Sequence, residues 1–228
     1  MKHIPNYIRE AYTNYTPGVK KFILAVSGGS DSQCLLKKFP HALRKECECL
    51  AVGVNHGFRP EADSELDLAE SLATSIGIPF KRIRLRIDVK PGDSLQSVAR
   101  EKRYEALFGA AKEYGTNYIV TAHHKHDLAE TIMIRLLRGS GIDGLKVMPV
   151  VKDIGDYKIF RPLLKVDKEM ILKELNHFKI KWAEDPSNQK EEYLRVWVRN
   201  NLFPMIKEKS PSFEDTLINI SNELKEMI

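Results

Sequence analysis

The hydrophobic pattern is dense near the N-terminus, where Phe22-Ile23-Leu24-Ala25-Val26 is apolar at every position and runs straight into Ser27-Gly28-Gly29-Ser30-Asp31-Ser32. An apolar run of strand length closed by turn residues predicts a strand over Lys21–Val26, followed by a helix through Gln33–Phe39. Before it, Ile4–Tyr15 reads as a short helix stopped by Pro17-Gly18. A second apolar run, Leu50–Val54, predicts another strand, ending in the loop Asn55-His56-Gly57-Phe58-Arg59-Pro60. Ser64 and Asp67 form a capping box ahead of Leu66, Leu68, Ala69, Leu72, Ala73 and Ile76, an amphipathic helix that stops at Gly77. Phe80–Ile87 alternates apolar positions with Lys81, Arg82, Arg84 and Arg86, the pattern of a partly exposed strand at a sheet edge. After the break at Pro91-Gly92 come a long helix over Ser94–Tyr114, a β-branched strand over Tyr118–Ala122 and a helix over Asp127–Leu137.

This alternation of strands and helices predicts an α/β fold with a doubly wound parallel sheet. Ligands in such sheets lie at the carboxyl ends of the strands, and the loops after Val26, Val54 and Ala122 all fall there, as walls of a single site. Past Gly144 the pattern changes. Arg161-Pro162-Leu163-Leu164 precedes a helix at Lys168–Phe178, Ala183–Asn188 is rich in turn residues, and helical stretches over Glu191–Lys207 and Phe213–Ile228 follow. The expected division is a nucleotide-binding part over residues 1–150 and a part over 151–228 made of closing strand and helices with a short C-terminal helical extension.

Composition narrows this picture only a little. The chain has 228 residues with 36 basic and 31 acidic side chains, a formal charge of +5 that permits a nucleic-acid partner without requiring one. Its three cysteines, Cys34, Cys47 and Cys49, lack zinc-ligand spacing, and Cys34 reads as a small buried apolar residue. No apolar stretch reaches the roughly 18 residues needed to span a bilayer, and the polar start Met1-Lys2-His3 is no signal peptide. A cytoplasmic location with no membrane partner is the expectation.

Two stretches carry chemistry. Paired glycines let the backbone turn sharply and present N–H groups to anionic oxygens at a helix start, so Ser27, Gly28, Gly29, Ser30, Asp31 and Ser32 predict a phosphate cradle. The hydroxyls can add donors, whereas Asp31 would repel bare phosphate and reads as a ligand for Mg²⁺ carried by a nucleotide. The loop is neither the Walker pattern nor the dinucleotide glycine motif. In Thr121–Thr131, at about 100° per residue, Asp127, Glu130, Thr131 and Arg138 share one helix face with Arg135 beside them, and Leu128, Ile132, Met133, Leu136 and Leu137 share the other. The three histidines there have no coherent third and fourth zinc partner. Arg138-Gly139-Ser140-Gly141 opens either a mobile connection or a clamp on phosphate or sugar. The cations of Phe80–Ile87 are either an RNA-facing stripe or a solubilising strand face.

Ser27–Ser32 matches S-G-G-x-D-S, which resembles the PP-loop (N-type) ATP pyrophosphatases. Together with Val54–Glu61, Ala99-Arg100, Arg103-Tyr104, His123-His124 through Glu130-Thr131, Arg135–Gly141 and Glu184–Asn188, it makes residues 20 to 206 similar to the tRNA(Ile)-lysidine synthetases. The resemblance implies the adenine nucleotide alpha hydrolase-like fold and a ligase reaction on a tRNA(Ile) with a CAU anticodon. ATP adenylates the C2 carbonyl oxygen of the wobble cytidine, pyrophosphate leaves, and free L-lysine displaces AMP to give lysidine. By position, Ser27 to Ser32 would hold the phosphates and Asp31 the Mg²⁺, with Asn55 and His56 near adenine or ribose. Asp127 and Glu130 would receive the lysine amine, Asp127 deprotonating it, and Arg138 and Arg195 would face phosphate or the adenylate. Two departures stand out: the family's His-His-x-Asp-Asp-Gln-x-Glu-Thr has His126 for the first Asp and Leu128 for the Gln. Arg195 and Arg199 keep both arginines of a later motif while its Asn is lost. The resemblance covers no counterpart of the larger C-terminal tRNA-binding domains of longer relatives. The alternatives are another PP-loop tRNA modification, such as thiolation, and a catalytically silent tRNA- or nucleotide-binding relative.

Overall fold

A computed structural model describes residues 2–57, 61–86, 94–184 and 194–226. The strands β1 (Lys21–Val26), β2 (Glu48–Asn55), β3 (Phe80–Arg84), β4 (Tyr118–Val120), β5 (Val151–Ile154) and β6 (Tyr157–Phe160) form one sheet in the order β3-β2-β1-β4-β6-β5. Every pairing is parallel except the terminal β5–β6 hairpin. The expected doubly wound sheet is therefore present. Its strand order reverses between β1 and β4, which puts a crevice at their carboxyl ends. β3 is the edge strand that its alternation predicts.

Helices α1 (Ile4–Tyr15), α2 (Ser30–Leu43), α3 (Glu61–Ser75), α4 (Leu95–Tyr114) and α5 (Lys125–Leu137) alternate with the strands. A short α6 (Ile142–Leu145) precedes the hairpin, and α7 (Lys168–His177) follows it. Beyond its first residue, Lys21, β1 is apolar and buried on both faces: Phe22 and Leu24 enter a core with α1, α2 and α7, while Ile23 enters a second cluster with Leu107, Ile119 and Ile159. From residue 194 onward, α8 (Leu194–Trp197), a π-helical turn (Val198–Leu202), α9 (Phe203–Lys209) and α10 (Phe213–Glu226) pack a third cluster against Leu128, Ile132 and Met133 of α5.

Several local readings change. α3 starts at Glu61, so Ser64 lies inside the helix and donates to Glu61 O at 2.8 Å instead of capping it. α2 runs through Pro40 to Leu43, four residues past its expected end at Phe39. The helix expected over Glu191–Lys207 is interrupted from Val198 by the π turn. Leu136 and Leu137, assigned to the apolar face of α5, are exposed. The hairpin β5–β6 continues the sheet past residue 150, and its Gly155-Asp156 turn between two alternating runs is the two-residue hairpin signature. Phe58-Arg59-Pro60, Pro91-Gly92, Asp185–Asn188 and the start of the Glu191 helix lie outside the described residues.

Candidate functional site

The turn after β1 is built by a glycine that nothing else can replace. Gly28 has φ +85°, and a Cβ there would lie 2.1 Å from Glu65 O. The Gly28 carbonyl accepts from Ala183 N at 3.0 Å, which ties the loop to the segment after α7. Gly29 caps α2, whose first internal bond is Gln33 N to Gly29 O at 3.0 Å. The N–H groups of Ser30, Asp31 and Ser32 thus have no partner within the helix and open onto the crevice, the arrangement that binds anionic oxygens. Not all the hydroxyls remain available. Ser32 Oγ accepts from Ser27 N (3.2 Å), donates to Gly29 O (2.9 Å) and sits 3.3 Å from Ser27 Oγ, so it braces the loop.

Lys168, the first residue of α7, supplies the cation that the loop itself lacks. Its ammonium donates to Ser30 Oγ at 2.7 Å and to Asp31 Oδ1 at 2.5 Å. Burial alone would raise the Asp31 carboxyl, but the neighbouring His124 ring and the Lys168 ammonium bring it down to about 2. His124 is 3 % exposed, with Nε2 3.6 Å from both Asp31 Oδ2 and Asp127 Oδ2. Its Nδ1 accepts from His126 N at 3.2 Å, and Asp127 Oδ2 accepts from His124 N at 3.0 Å, a reciprocal cap at the start of α5. Burial opposes charge on the His124 ring, yet the two aspartates hold its pKa above the ordinary value. His124 therefore joins the phosphate-side carboxylate to the α5 carboxylate.

One turn along α5, Glu130 is 1 % exposed and bound in a fork by Arg199, at 2.6 Å from Nε and 2.9 Å from Nη2. Arg199 Nη2 also lies 3.8 Å from Asp127 Oδ1. Arg195, four residues earlier on the same face, donates to Thr131 Oγ1 at 2.8 Å and places Nε 3.7 Å from Glu130 Oε2. Arg199 lies within the π turn, a feature often found at functional sites. Asp127 lines the crevice, whereas Glu130 lies behind it with its charge answered by arginine.

The crevice is a cavity of about 450 Å³ whose wall takes Ser27, Gly29, Asp31 and Ser32 from the first loop, His56 from the second, and Thr121, His123 and Asp127 from the third. The three loops read from the sequence therefore do converge. Arg103 and Tyr104 of α4 complete it, and the Tyr104 hydroxyl is buried without a hydrogen-bond partner. Burial holds His123 down at about 4, with Arg161, Arg100 and Arg103 adding to the effect against the pull of Asp127. Burial and Arg103 likewise lower His56. Asn55 does not line the cavity: its Nδ2 donates to Asp63 Oδ1 and its Oδ1 accepts from Gly57 N, both at 2.7 Å, so it shapes the loop that presents His56. Arg138 is exposed at the far end of α5, about 16 Å along the axis from Asp127. Lys168, His124, Arg199, Arg103 and Tyr104 join the assigned residues. The i, i+4 spacing of Arg195 and Arg199 was the readable signal for Arg199; nothing local in the sequence pointed Lys168 at the glycine loop.

In the basic strand, Arg82 pairs with Asp67 (2.6 Å) and Glu70 (2.7 Å), Arg84 with Asp63 (2.5 Å), and Lys81 with Glu113, so acids of α3 and α4 answer three of its four cations. Among the described residues, no group of three or more His, Cys, Asp or Glu side chains is placed to hold a metal, and no helix is long and apolar enough to cross a membrane.

Comparison with known proteins places this architecture. The chain is 32 % identical over 216 residues to a tRNA(Ile)-lysidine synthase of Hydrogenovibrio crunogenus, covering 93 % of this chain and 51 % of that one. It is 38 % identical over 180 residues to the enzyme of the same name from Bradyrhizobium diazoefficiens, covering 78 % and 50 %. The chain thus spans about half the length of the curated relatives it matches. Among solved structures, the U34-tRNA thiolase NcsA of Methanococcus maripaludis superposes with a TM-score of 0.82 at 18 % identity, over 99 % of this chain and 79 % of that one, a likeness of fold. Residues 2–206 match the family described as the PP-loop domain, and with the glycine turn at β1 and the crevice at the β1–β4 reversal, the chain belongs to that family.

Proposed function

We propose that the chain is the PP-loop portion of a tRNA(Ile)-lysidine synthase, acting in the cytoplasm on a tRNA(Ile) with a CAU anticodon, with ATP and free L-lysine as co-substrates. The observation that carries this reading is the meeting, in one cavity, of a helix-start phosphate cradle with the carboxylate Asp127. In the first step the wobble cytidine O2 attacks the α-phosphorus of ATP. An O–P bond forms, the bond to the β-phosphate oxygen breaks, and pyrophosphate departs with the electron pair. The N–H groups at the start of α2 and the Lys168 ammonium meet the charge that accumulates there. In the second step the lysine ε-nitrogen attacks C2, the C–O bond breaks and AMP leaves. Asp127 takes a proton from the lysine ammonium, freeing the amine lone pair that attacks, while Arg199 keeps Glu130 and Asp127 in place. Arg195 lies beside the same pair, and Arg138 at the distal end of α5 faces outward for tRNA phosphate.

Mg²⁺ fits the donor set in one way. Asp31 offers a single carboxylate at the cavity, which suits an ion taking its remaining ligands from phosphate and water. Bound there, it would neutralise charge on the β- and γ-phosphates. Thiolation is less well supported, since none of the three cysteines lines the cavity.

The test is nucleoside mass spectrometry of a CAU-anticodon tRNA transcript incubated with the chain, ATP and lysine. Lysidine with stoichiometric AMP and pyrophosphate is expected. ADP as product, or AMP release that needs neither lysine nor tRNA, would overturn the proposal.

A further inference from the structure

Part of the positive charge of this molecule is spent on neighbouring acids, but the charge along one face of α2 is not. Along α2, Gln33, Lys37, His41 and Arg44 follow one another at steps of four, four and three residues, a single stripe about 16 Å long that starts one turn after the glycine loop. The stripe floors two adjoining cavities that share Lys37. One, of about 360 Å³, lies between α2, α3 and the segment after α7, where Lys179 and Lys181 form the opposite bank. The other, of about 580 Å³, reaches the amino-terminal end of β2 at His41 and Arg44. Among the described residues, Lys37, His41, Arg44, Lys179 and Lys181 take part in no ion pair, and Glu48 is the one acid on either wall. The next residue on the helix, Lys38, is buried and paired with Glu174, with its ammonium 4.1 Å over the centre of the Phe178 ring.

The opposite bank is held rigidly. Gln33 Nε2 donates to Lys181 O at 3.1 Å, and Ile180 N donates to Leu175 O at 2.9 Å, closing the end of α7. Lys179 has φ +52°, the left-handed position after a helix where glycine is preferred, and a lysine there is strained. Between the banks the exposed Phe178 ring takes the Lys37 ammonium 5.6 Å above its centre.

We infer that this groove along α2 binds the phosphate backbone of RNA, extending from the nucleotide cavity to the far end of the sheet. A polyanion is the complement of Lys37, Arg44, Lys179 and Lys181, unpaired and arranged along a track with His41 among them. RNA is the polyanion that the proposed function brings to the neighbouring cavity; in its choice of occupant the inference rests on that reading.

The test is the salt dependence of binding of a CAU-anticodon tRNA transcript to the whole chain, with Lys37→Glu/Arg44→Glu and, separately, Lys179→Gly. The double variant should bind about tenfold more weakly at low salt, and its log–log salt slope should be shallower by about 0.7–0.9 for each phosphate it no longer engages. Lys179→Gly removes a cation while relieving backbone strain, so it should weaken binding yet raise the melting temperature, a combination that misfolding cannot mimic. ATP affinity should be unchanged in both. Wild-type affinity and slope in both variants would overturn the inference, as would variants that no longer bind a polyglutamate peptide yet hold tRNA as the wild type does. Lysidine formation by the wild-type chain is read separately: a chain that makes lysidine with unaltered variants fails the groove alone, and a chain whose variants lose tRNA binding but which makes no lysidine fails the functional reading alone.

Discussion

Replacing Arg199 with alanine isolates the most costly interaction of the site. Glu130 is 1 % exposed and held by two charge-assisted bonds of 2.6 and 2.9 Å, so removing the guanidinium leaves a carboxylate that water cannot reach. Breaking a buried pair from one side costs about 3–5 kcal/mol. Two features reduce that figure here: the Arg199 side chain is 40 % exposed, and Arg195 remains 3.7 Å from Glu130. A loss of about 2–3 kcal/mol follows, equivalent to roughly 5–10 °C in melting temperature for a chain of this size. Urea unfolding followed by circular dichroism measures it. Glu130→Gln removes the same interaction from the other side, so the double-mutant cycle should return a coupling of at least about 1.5 kcal/mol. If the two single losses add to within about 0.5 kcal/mol, the pair is not the energetic unit described and the reasoning fails.

Other consequences are tested more briefly. Gly28→Ala must move the Glu65 backbone or abandon φ +85°, so ATP affinity should fall by more than about tenfold in calorimetry; near-normal affinity would show that the turn is not needed for the cradle. Lys168→Met removes a charged donor from Ser30 and Asp31, and ATP affinity should fall about 10- to 100-fold with the circular dichroism spectrum unchanged. His123, at about 4 in the folded chain against 6.5 ordinarily, is a base with a depressed pKa. Its contribution to stability is complete above pH 6.5 and is lost as pH falls toward 4, by up to about 3 kcal/mol; His123→Gln should flatten that limb of the stability–pH curve, and coincident curves would refute the assignment. Arg82→Ala, which removes a β3 cation from its surface pairs with acids of α3, should cost less than about 1 kcal/mol and leave tRNA binding unaltered.

What could be read from the sequence followed the range of the physics involved. The β1 strand and its turn were legible because apolar continuity and a paired glycine are local signals, and the convergence of three loops followed from the rule that parallel strands present their carboxyl ends together. Interactions between distant parts of the chain were not legible. Lys168 reaches Ser30 from 138 residues away, and Asn55 proved to be committed to Asp63 and Gly57 instead of facing the crevice. The basic alternation of β3 pointed correctly to an edge strand but not to its use, because the acids that neutralise it sit on α3, where helical spacing alone does not show which strand they face.

The two departures in α5 fall into place by the same reasoning. At about 100° per residue, Leu128 lies on the far side of the helix from Glu130, while His126, one turn before Glu130, sits at the edge of the polar face. Leu128 is buried in the apolar cluster with Phe203 and Leu217, and His126 Nε2 lies 3.2 Å from Glu214 Oε2 on α10. Beside them, Lys125 joins Asp215 of the same helix at 2.6 Å. Both substitutions therefore belong to the seam between α5 and α10, not to the crevice. There, an apolar side chain adds burial and an imidazole faces a carboxylate. The cavity face, meanwhile, keeps Asp127 at its wall and Glu130 within the grip of Arg199. A helix can change its docking partner on one side and preserve its chemistry on the other, provided the docking partner takes up the altered side chains, as Glu214 takes up His126 and the cluster with Phe203 and Leu217 takes up Leu128.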